Sequence, residues 1–351
     1  MRGGARAVRC AFARLHAPPS AARSAVSQIL RALLVASTLL YVAPSALARE
    51  TLRLATWNLE WLMTTATFDR LARTCSHAHS GDGSREIPCD IVEPPEHSLR
   101  RTAADFERLQ MYARRLNADV IALQEVDGPG AAALVFPGYG FCFTRRAHVQ
   151  NVGFAVRSGI PFRCADYAAL ALDSDGLRWG AQLTLFPDSR WQMQLLSIHL
   201  KSGCPSQVLS NRREECRRLA QQVPALEQWI DARAAEGIPF AVLGDFNRRL
   251  ARERHAARDR YGRLIAMWPE LDDGDPPEAE LTNVTAGQPY RRCSPHERYD
   301  DFIDHILLSR SLAARLVPGS FEQIVYDRTD FRHGRLSDHC PIAVTVKVGD
   351  W

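Results

Sequence analysis

Short apolar runs alternate with amphipathic segments along this chain, and the two patterns predict interleaved strands and helices. The apolar runs predict buried strands at residues 52–57, 120–123, 152–156, 179–186, 192–199, 240–243, 302–308 and 342–348. Phe106, Leu109 and Leu116 recur at helical spacing and predict an amphipathic helix over residues 99–116. A second helix, with an arginine-rich face, is predicted over residues 211–235. Interleaved elements with several antiparallel-looking strand pairs predict an α/β sandwich.

Residues 1–48 have the pattern of an export signal. They carry six arginines and no acid, followed by an apolar run at 32–43 and the small residues Ala46 and Ala48. The run is shorter than the roughly 20 residues that span a bilayer, so no membrane anchor is predicted. We therefore expect cleavage near Ala48, a periplasmic or secreted protein, and a single domain over residues 49–351.

Loss of this leader changes what the net charge implies. The full chain has 44 basic and 40 acidic side chains, and the leader holds six of the basic ones. The mature chain then has 38 basic and 40 acidic side chains, so its charge gives no evidence for nucleic-acid binding. Two arginine-rich stretches, residues 212–218 and 248–263, either contact phosphates or form solvated helix faces.

Eight cysteines remain after the leader, and an even number in an exported protein predicts disulfides. Pairing neighbours along the sequence predicts the bonds Cys75–Cys89, Cys142–Cys164, Cys204–Cys216 and Cys293–Cys340. The alternative is that some of them, Cys340 in particular, are buried free thiols. The chain has no CxxC pair, which argues against a zinc site.

Polar side chains with catalytic potential follow the predicted buried strands. They are Asn58, Glu125, His199, Lys201, Asp245, Asn247, Asp304, Asp338 and His339. Carboxylates gathered at one sheet edge repel one another unless a cation lies between them, and oxygen ligands suit a hard ion such as Mg²⁺. Histidines beside such an ion can position or deprotonate water. The pattern therefore predicts metal-assisted hydrolysis.

Six short motifs occur in an order typical of one superfamily. They are Thr56-Trp57-Asn58, Leu123-Gln124-Glu125, Ser197-Ile198-His199, Gly244-Asp245-Phe246-Asn247, Phe302-Ile303-Asp304 and Ser337-Asp338-His339. The chain resembles the endonuclease/exonuclease/phosphatase superfamily, which includes pancreatic-type deoxyribonucleases, abasic-site endonucleases, neutral sphingomyelinases and inositol polyphosphate 5-phosphatases. The resemblance implies an α/β (α+β) fold, a four-layer sandwich of two packed mixed sheets flanked by helices, and metal-dependent phosphoester hydrolysis.

The resemblance also implies a metal site. Asn58, Glu125 and Asp338 are the implied metal ligands, with Glu125 as the main one. Mg²⁺ is the expected ion, with Mn²⁺ or Ca²⁺ as alternatives. Asp245 and Asn247 are implied to orient the attacking water and the phosphate.

His339 and His199 are assigned to the phosphate and its leaving group by the same resemblance, and Lys201 is assigned by its position two residues after His199. His339 would act on the water or stabilise the phosphate, oriented by Asp304. His199 would bind the phosphate, together with Asn247, and protonate the leaving oxygen. Lys201 would place a positive charge near the phosphate.

One departure from the family pattern bears on His199. In pancreatic-type deoxyribonucleases a glutamate on the preceding strand pairs with the equivalent histidine, whereas residues 148–153 contain no acid here. Gln150 or Asn151 is the expected replacement. Because an amide stabilises an imidazolium less than a carboxylate does, His199 is predicted to be a phosphate ligand more than a proton donor. His305 is predicted to pack near the site without taking part in catalysis.

Together these observations predict a secreted or periplasmic nuclease that hydrolyses phosphodiesters of DNA or RNA. We expect a monomer with no stable protein partner. One alternative is a sphingomyelinase, phospholipase C-like enzyme or phosphatase of the same superfamily. A lipid-cleaving member would need an apolar surface loop, and the irregular residues 64–98 are the segment that could contain one. The other alternative is a catalytically inactive binding module, against which the intact set of polar residues argues.

Overall fold

The computed structural model describes residues 50–77, 86–172, 176–253, 256–293 and 299–349. The predicted signal peptide therefore lies outside the described residues. In the part of the chain that is described, no helix is both long enough and apolar enough to cross a bilayer.

Two six-stranded mixed sheets form the centre of the fold. Their strands are β1 (Thr51–Leu62), β2 (Val120–Val126), β3 (Tyr139–Phe143), β4 (Asn151–Arg157), β5 (Phe162–Tyr167), β6 (Gly180–Leu185), β7 (Met193–His199), β8 (Phe240–Asp245), β9 (Leu281–Asn283), β10 (Asp304–Ser309), β11 (Glu322–Gln323) and β12 (Ile342–Lys347). Sheet I has the order β11-β12-β1-β2-β4-β3, and sheet II has the order β5-β6-β7-β8-β10-β9. The pairs β1–β2 and β7–β8 are parallel, and all other pairs are antiparallel.

Seven helices in the described residues accompany the sheets, and the two longest cover their outer faces. The seven helices are α1 (Thr65–Ala72), α2 (Ala103–Leu116), α3 (Pro129–Ala132), α4 (Glu214–Ala235), α5 (Trp268–Leu271), α6 (Arg310–Ala313) and α7 (Arg328–His333), with short 3₁₀ turns at Cys89–Ile91, Ala168–Ala171, Leu250–Arg252 and Pro277–Ala279. Of these, α2 packs on sheet I and α4 on sheet II. The order helix, sheet, sheet, helix confirms the predicted four-layer sandwich.

Side-chain alternation along the strands separates three apolar cores. In β1, Leu52 and Leu54 face the core between the sheets, whereas Trp57 and Leu59 face the core under α2. Trp229 of α4 lies in the third core, against sheet II. Because burial of one large apolar side chain contributes about 1.5–3 kcal/mol, these cores hold the sheets in a fixed relation to each other.

The start and end of α2 have local causes. Thr102 and Asp105 form a capping box at the N-terminus, and Asn117 ends the helix in the left-handed region with φ 44°. The helix thus begins at Ala103 rather than at the predicted residue 99, because the capping side chain stops the helix from extending further back.

Two predictions about irregular and helical segments were wrong. Residues 64–98 contain α1, whose Phe68 and Leu71 pack with Met63 and Val149 in a small separate apolar cluster. Of the two alternatives for residues 248–263, the helix face is not what the described residues of this stretch form, since their one helical element is the 3₁₀ turn Leu250–Arg252. The stretch lacks apolar residues at helical spacing, and its arginines instead form ion pairs with acids elsewhere in the fold, such as Arg252 with Asp301 and Arg258 with Glu270.

All four predicted disulfides are present. Cys75 bonds Cys89, Cys142 bonds Cys164, Cys204 bonds Cys216, and Cys293 bonds Cys340. The free-thiol alternative for Cys340 was therefore wrong. The last bond attaches the residue after His339 to the segment that precedes β10.

An acidic pair on α4 makes stability depend on pH. Glu227 and Asp231 lie one helical turn apart. Burial and the neighbouring Asp231 and Asp273 raise the pKa of Glu227 to about 8. Neither carboxylate oxygen of Glu227 has a hydrogen-bond partner among the described residues.

The substitution Glu227→Gln is expected to stabilise the protein at about pH 8. The unfolded carboxyl ionises near pH 4.5, while the folded one keeps its proton to about pH 8. The folded state therefore binds more protons in this window, and stability falls as pH rises through it. After a discount for partial exposure, the gain is about 1–2 kcal/mol at the alkaline end and close to zero below the unfolded pKa. Melting curves at both ends measure it, and a larger gain at the acidic end would contradict this account.

Candidate active site

The candidate residues meet at one edge of the two sheets because of strand direction. Asn58 and Glu125 lie near the carboxyl ends of the parallel pair β1–β2, and His199 and Asp245 end the parallel pair β7–β8. Asp304 begins the antiparallel strand β10 and lies opposite Asp245 in the register. The loop of residues 335–341, named here the His339 loop, leads into β12, which begins at the same edge.

Asn58 connects the two sheets. Its side chain lies on the face of β1 that points between the sheets, and its Nδ2 donates to Glu125 Oε1 at 3.3 Å and to Asp245 Oδ2 at 3.2 Å. Its Oδ1 accepts from the backbone N–H of Glu60 at 3.0 Å. In this placement Nδ2, rather than Oδ1, faces the carboxylates of Glu125 and Asp245.

Glu125 reaches the site through a backbone irregularity. Gln124 points between the sheets and donates to Ser197 Oγ at 3.1 Å, so the next side chain of a regular strand would point away from the site. A register shift and a φ of 58° at Glu125 instead turn its carboxylate toward Asn58. The other oxygen, Oε2, accepts from Gln150 Nε2 at 2.8 Å and from the N–H of Trp61 at 3.2 Å.

His339 is held by Asp304. Its Nδ1 donates to Asp304 Oδ2 at 2.6 Å, and its Nε2 lies 4.0 Å from Asp245 Oδ2. Burial lowers the pKa of His339, but Asp304, Asp338 and Asp245 outweigh burial and raise that pKa well above its usual value. Asp338 is 57% exposed, with Oδ1 3.9 Å from His339 Nε2. Asp304 therefore holds the imidazole with its Nε2 toward Asp245 and Asp338.

His199 lacks the partner that was predicted for it. Its Nε2 lies 3.4 Å from Asp245 Oδ2 and 3.7 Å from Glu125 Oε1, while its buried Nδ1 has no hydrogen-bond partner among the described residues. Gln150 donates to Glu125, and Asn151 donates to the carbonyl of His148, so neither amide replaces the family's glutamate. That expectation was wrong because both side chains are engaged elsewhere.

The protonation of His199 follows from its surroundings. Burial first, and then the positive charge of Arg178, lower the pKa of His199 well below its usual value. The imidazole is therefore neutral at physiological pH. A neutral imidazole can donate one hydrogen bond to a phosphate oxygen, but it has no spare proton to give to a leaving group.

The turn after β8 and Lys201, two residues after the end of β7, complete the set. Asn247, at φ 51°, donates its backbone N–H to Asp245 Oδ1 at 2.7 Å and its Nδ2 to the carbonyl of Leu200 at 3.1 Å. Lys201 is half-buried and its Nζ donates to the carbonyl of Ser202 at 3.2 Å. Burial, and secondarily Arg178, lower the pKa of Lys201.

His305 behaves as predicted. Its ring is buried, with Nδ1 2.7 Å from Thr285 Oγ1 and Nε2 2.8 Å from the carbonyl of Arg248. Both nitrogens are engaged, and burial lowers the pKa of His305 to about 4. It packs behind the site as a neutral side chain.

Two charged residues at the site were missed by the sequence analysis. Arg178 precedes β6 and donates to Gln150 Oε1 at 2.7 Å. Burial lowers the pKa of Arg178, and the nearby charges of Glu125 and Asp245 oppose that shift only in part. Glu60 lies two residues after Asn58 and accepts from the N–H of Asp338 at 3.0 Å. Burial, and then Asp338, raise the pKa of Glu60 to about 8. The sequence could have indicated Glu60, because it lies two residues after Asn58. No sequence feature indicated Arg178.

The donor set fits a divalent cation. One ligand atom each from Asp245, Asp304 and His339 lie within 4.8 Å of one another, and the buried Oδ1 of Asp304 has no hydrogen-bond partner among the described residues. Burial and Asp304 raise the pKa of Asp245 to about 7, and burial raises the pKa of Glu125. Clustered carboxylates that resist ionisation are stabilised by a bound cation, and oxygen donors favour a hard one.

The profile of the Endonuclease/Exonuclease/phosphatase family matches residues 55–339, and the chain belongs to that family. The matched segment includes every residue of the site described above. Members of the family are phosphoesterases that depend on divalent metal ions. No curated protein matches the sequence.

Solved structures share the fold at low sequence identity. The endonuclease/exonuclease/phosphatase from Bacteroides vulgatus is 13% identical with a TM-score of 0.52, over 86% of this chain and 100% of that one. TDP2 from C. elegans is 13% identical with a TM-score of 0.52, over 93% and 82% respectively. A humanized D. rerio TDP2 is 18% identical with a TM-score of 0.50, over 86% and 100%. Identities this low support the fold alone.

Proposed function

We propose that this chain is an exported, metal-dependent phosphodiesterase that cleaves DNA or RNA. The observation that carries the proposal is a site with two halves of opposite charge. Glu125, Asp245, Asp304 and Asp338 form an acidic half, and Arg178 with Lys201 forms a cationic half. The halves meet where His199 Nε2 lies 3.4 Å from Asp245 Oδ2. The acidic half suits a cation, and the cationic half suits a phosphodiester.

In this proposal the metal is held by Glu125 as the main ligand, with Asp338 and Asn58. When bound, the ion would polarise a phosphoryl oxygen and neutralise negative charge there. Mg²⁺ is proposed because the donors are oxygens, with Mn²⁺ or Ca²⁺ as alternatives.

The chain's own residues then position the reactants. Asp245 and Asn247 orient the attacking water, since their side chains are fixed to each other by a hydrogen bond of 3.1 Å. His339, oriented by Asp304, donates from Nε2 to a phosphate oxygen. The neutral His199 donates to a second oxygen, and Arg178 and Lys201 offset the negative charge. Such fixed donors act by positioning and charge stabilisation.

Surface chemistry favours nucleic acid over membrane lipid. A lipid-cleaving relative would need an exposed apolar loop, and residues 64–98 were the segment that could contain one. The described residues of this segment expose no large apolar side chain, because those of α1 are buried in their own cluster. The large exposed apolar residues found in the described chain are Met111, Leu134, Val208 and Tyr261.

A substrate panel with mature protein tests the proposal. We expect plasmid DNA or RNA to be cleaved with Mg²⁺ or Mn²⁺, cleavage to stop with a chelator, and activity to return with excess metal ion. Sphingomyelin vesicles and a phosphomonoester are the comparison substrates. Intact DNA and RNA together with cleavage of the choline phospholipid would show that the nuclease proposal is wrong. Hydrolysis of none of the substrates would support the inactive binding module.

A further inference from the structure

A basic cleft lies outside the site described above. It has a volume of about 600 Å³ and is formed by the first turn of α2, residues 92–100 and residues 332–335. Four guanidinium groups line it, those of Arg100, Arg108, Arg332 and Arg335, and Asp105 is the one acidic side chain among its lining residues.

Acidic neighbours compensate only part of this charge. Arg100 forms a bidentate pair with Asp69, and Arg108 lies 3.4 Å from the buried Asp105. In each pair the carboxylate offsets most of the positive charge of the arginine. These two arginines therefore contribute mainly shape and hydrogen-bond donors to the cleft.

The other two arginines keep their charge. Arg335 donates to the carbonyl oxygens of Pro95 and Glu96 at 3.3 and 2.9 Å, and neutral carbonyls do not cancel a positive charge. Arg332 is exposed and makes no hydrogen bond or ion pair with any residue in the described part of the chain. The cleft therefore presents two uncompensated guanidinium groups, the side chain best suited to bind a phosphate.

The cleft is physically connected to the catalytic edge. Arg335 and His339 are four residues apart in the His339 loop, so their Cα atoms are separated by at most about 14 Å. The buried Arg101 donates to the carbonyls of Leu59, Arg335 and Leu336, which ties the wall of the cleft to β1 beside Asn58. The two sites therefore keep a constant separation.

The upper limit of about 14 Å between the Cα atoms of Arg335 and His339 is the length of a few nucleotides of one strand. Phosphates of B-DNA follow one another by about 3.4 Å along the helix axis. We propose that the basic cleft binds a phosphate of the substrate strand a few nucleotides away from the cleaved bond. The inference rests on the proposed function and deepens it, because it names a polynucleotide, rather than a dinucleotide or a small phosphoester, as the preferred substrate class.

The test compares Arg332→Gln with Arg190→Gln. Arg190 is also an exposed arginine, stacked on Trp191 in the turn before β7, at the end of sheet II opposite His199, and serves as the control. Binding of a fluorescein-labelled single strand of about 20 nucleotides is measured by anisotropy with a chelator present, over a salt titration. For Arg332→Gln we expect binding about 3- to 10-fold weaker and a log–log salt slope reduced by about 0.7, as for one lost phosphate contact. Arg190→Gln should match the wild type.

Kinetics supply the second readout. With metal ion, Arg332→Gln should raise KM for the 20-nucleotide strand by the same factor, keep kcat within about twofold, and leave cleavage of a dinucleotide unchanged. Unchanged binding and KM for the long strand would overturn the inference. An equal loss of activity on the dinucleotide would also overturn the inference, since the substitution would then act through the His339 loop. Binding that depends on Arg332 without any strand cleavage would support the cleft and refute the proposed nuclease function.

Discussion

His339→Ala is expected to lower kcat/KM for the cleaved nucleic acid by about a thousandfold while the fold remains intact. The substitution removes the donor that Asp304 holds at 2.6 Å and that faces Asp245. The lost side chain lies among acids and not in an apolar core, so we expect the variant to fold, with a lower melting temperature because Asp304 loses its partner. The measurements are steady-state kinetics with metal ion and a thermal melt of each variant.

Two companion variants make this result specific. Asp304→Asn keeps the shape of the acid but weakens its hold on the imidazolium, so an intermediate loss of about 10- to 100-fold is expected. His77→Ala, at an exposed histidine outside the site, should have no effect. Turnover retained by His339→Ala would remove the role assigned to that residue.

Gly244→Ala is expected to have the largest effect on stability. Gly244 has a φ of +147°, and a Cβ there would lie 2.1 Å from the carbonyl oxygen of Ile198 on the neighbouring parallel strand. Neither backbone can move without breaking the β7–β8 pairing that brings His199 beside Asp245. We expect a loss of about 3–5 kcal/mol in the free energy of unfolding, together with reduced activity of the molecules that remain folded.

Gly159→Ala is the matched control for this prediction. Gly159 also has a positive φ, +93°, but a Cβ there would meet nothing within 4 Å. Gly159→Ala should lower the free energy of unfolding by only about 1 kcal/mol, the penalty for the backbone conformation alone. Urea denaturation of both variants measures the difference, and equal losses at the two glycines would show that contact with Ile198 has no special cost.

Whether the sequence pattern predicted a strand depended on the position of that strand in its sheet. Eight apolar runs predicted strands, and they correspond to β1, β2, β4, β6, β7, β8, β10 and β12. The four strands that were missed, β3, β5, β9 and β11, are the outer strands of the two sheets. A strand with neighbours on both sides is buried and continuously apolar, whereas an edge strand such as β5 carries exposed residues like Arg163 and gives a weak signal.

The candidate site shows a similar division. The motifs predicted which polar residues follow the central strands, and strand direction brought them to one edge. The motifs did not predict that a φ of 58° turns Glu125 toward Asn58, because alternation along a regular strand places neighbouring side chains on opposite faces. They also did not predict Arg178, which precedes β6 in sequence but reaches Gln150 in space.

By itself, the sequence determined the sandwich of central strands, the four disulfide pairs and the family motifs that contain Asp304 and His339. These features depend on local apolar patterns and on motifs that are short in sequence. The tertiary structure alone decided the partners of each side chain: the Nδ1 of His199 that has no hydrogen-bond partner among the described residues, the position of Arg178 near Glu125 and Asp245, and the basic cleft beside the His339 loop. Those partners come from segments far apart along the chain, and only the packing of the two sheets and α2 brings them together.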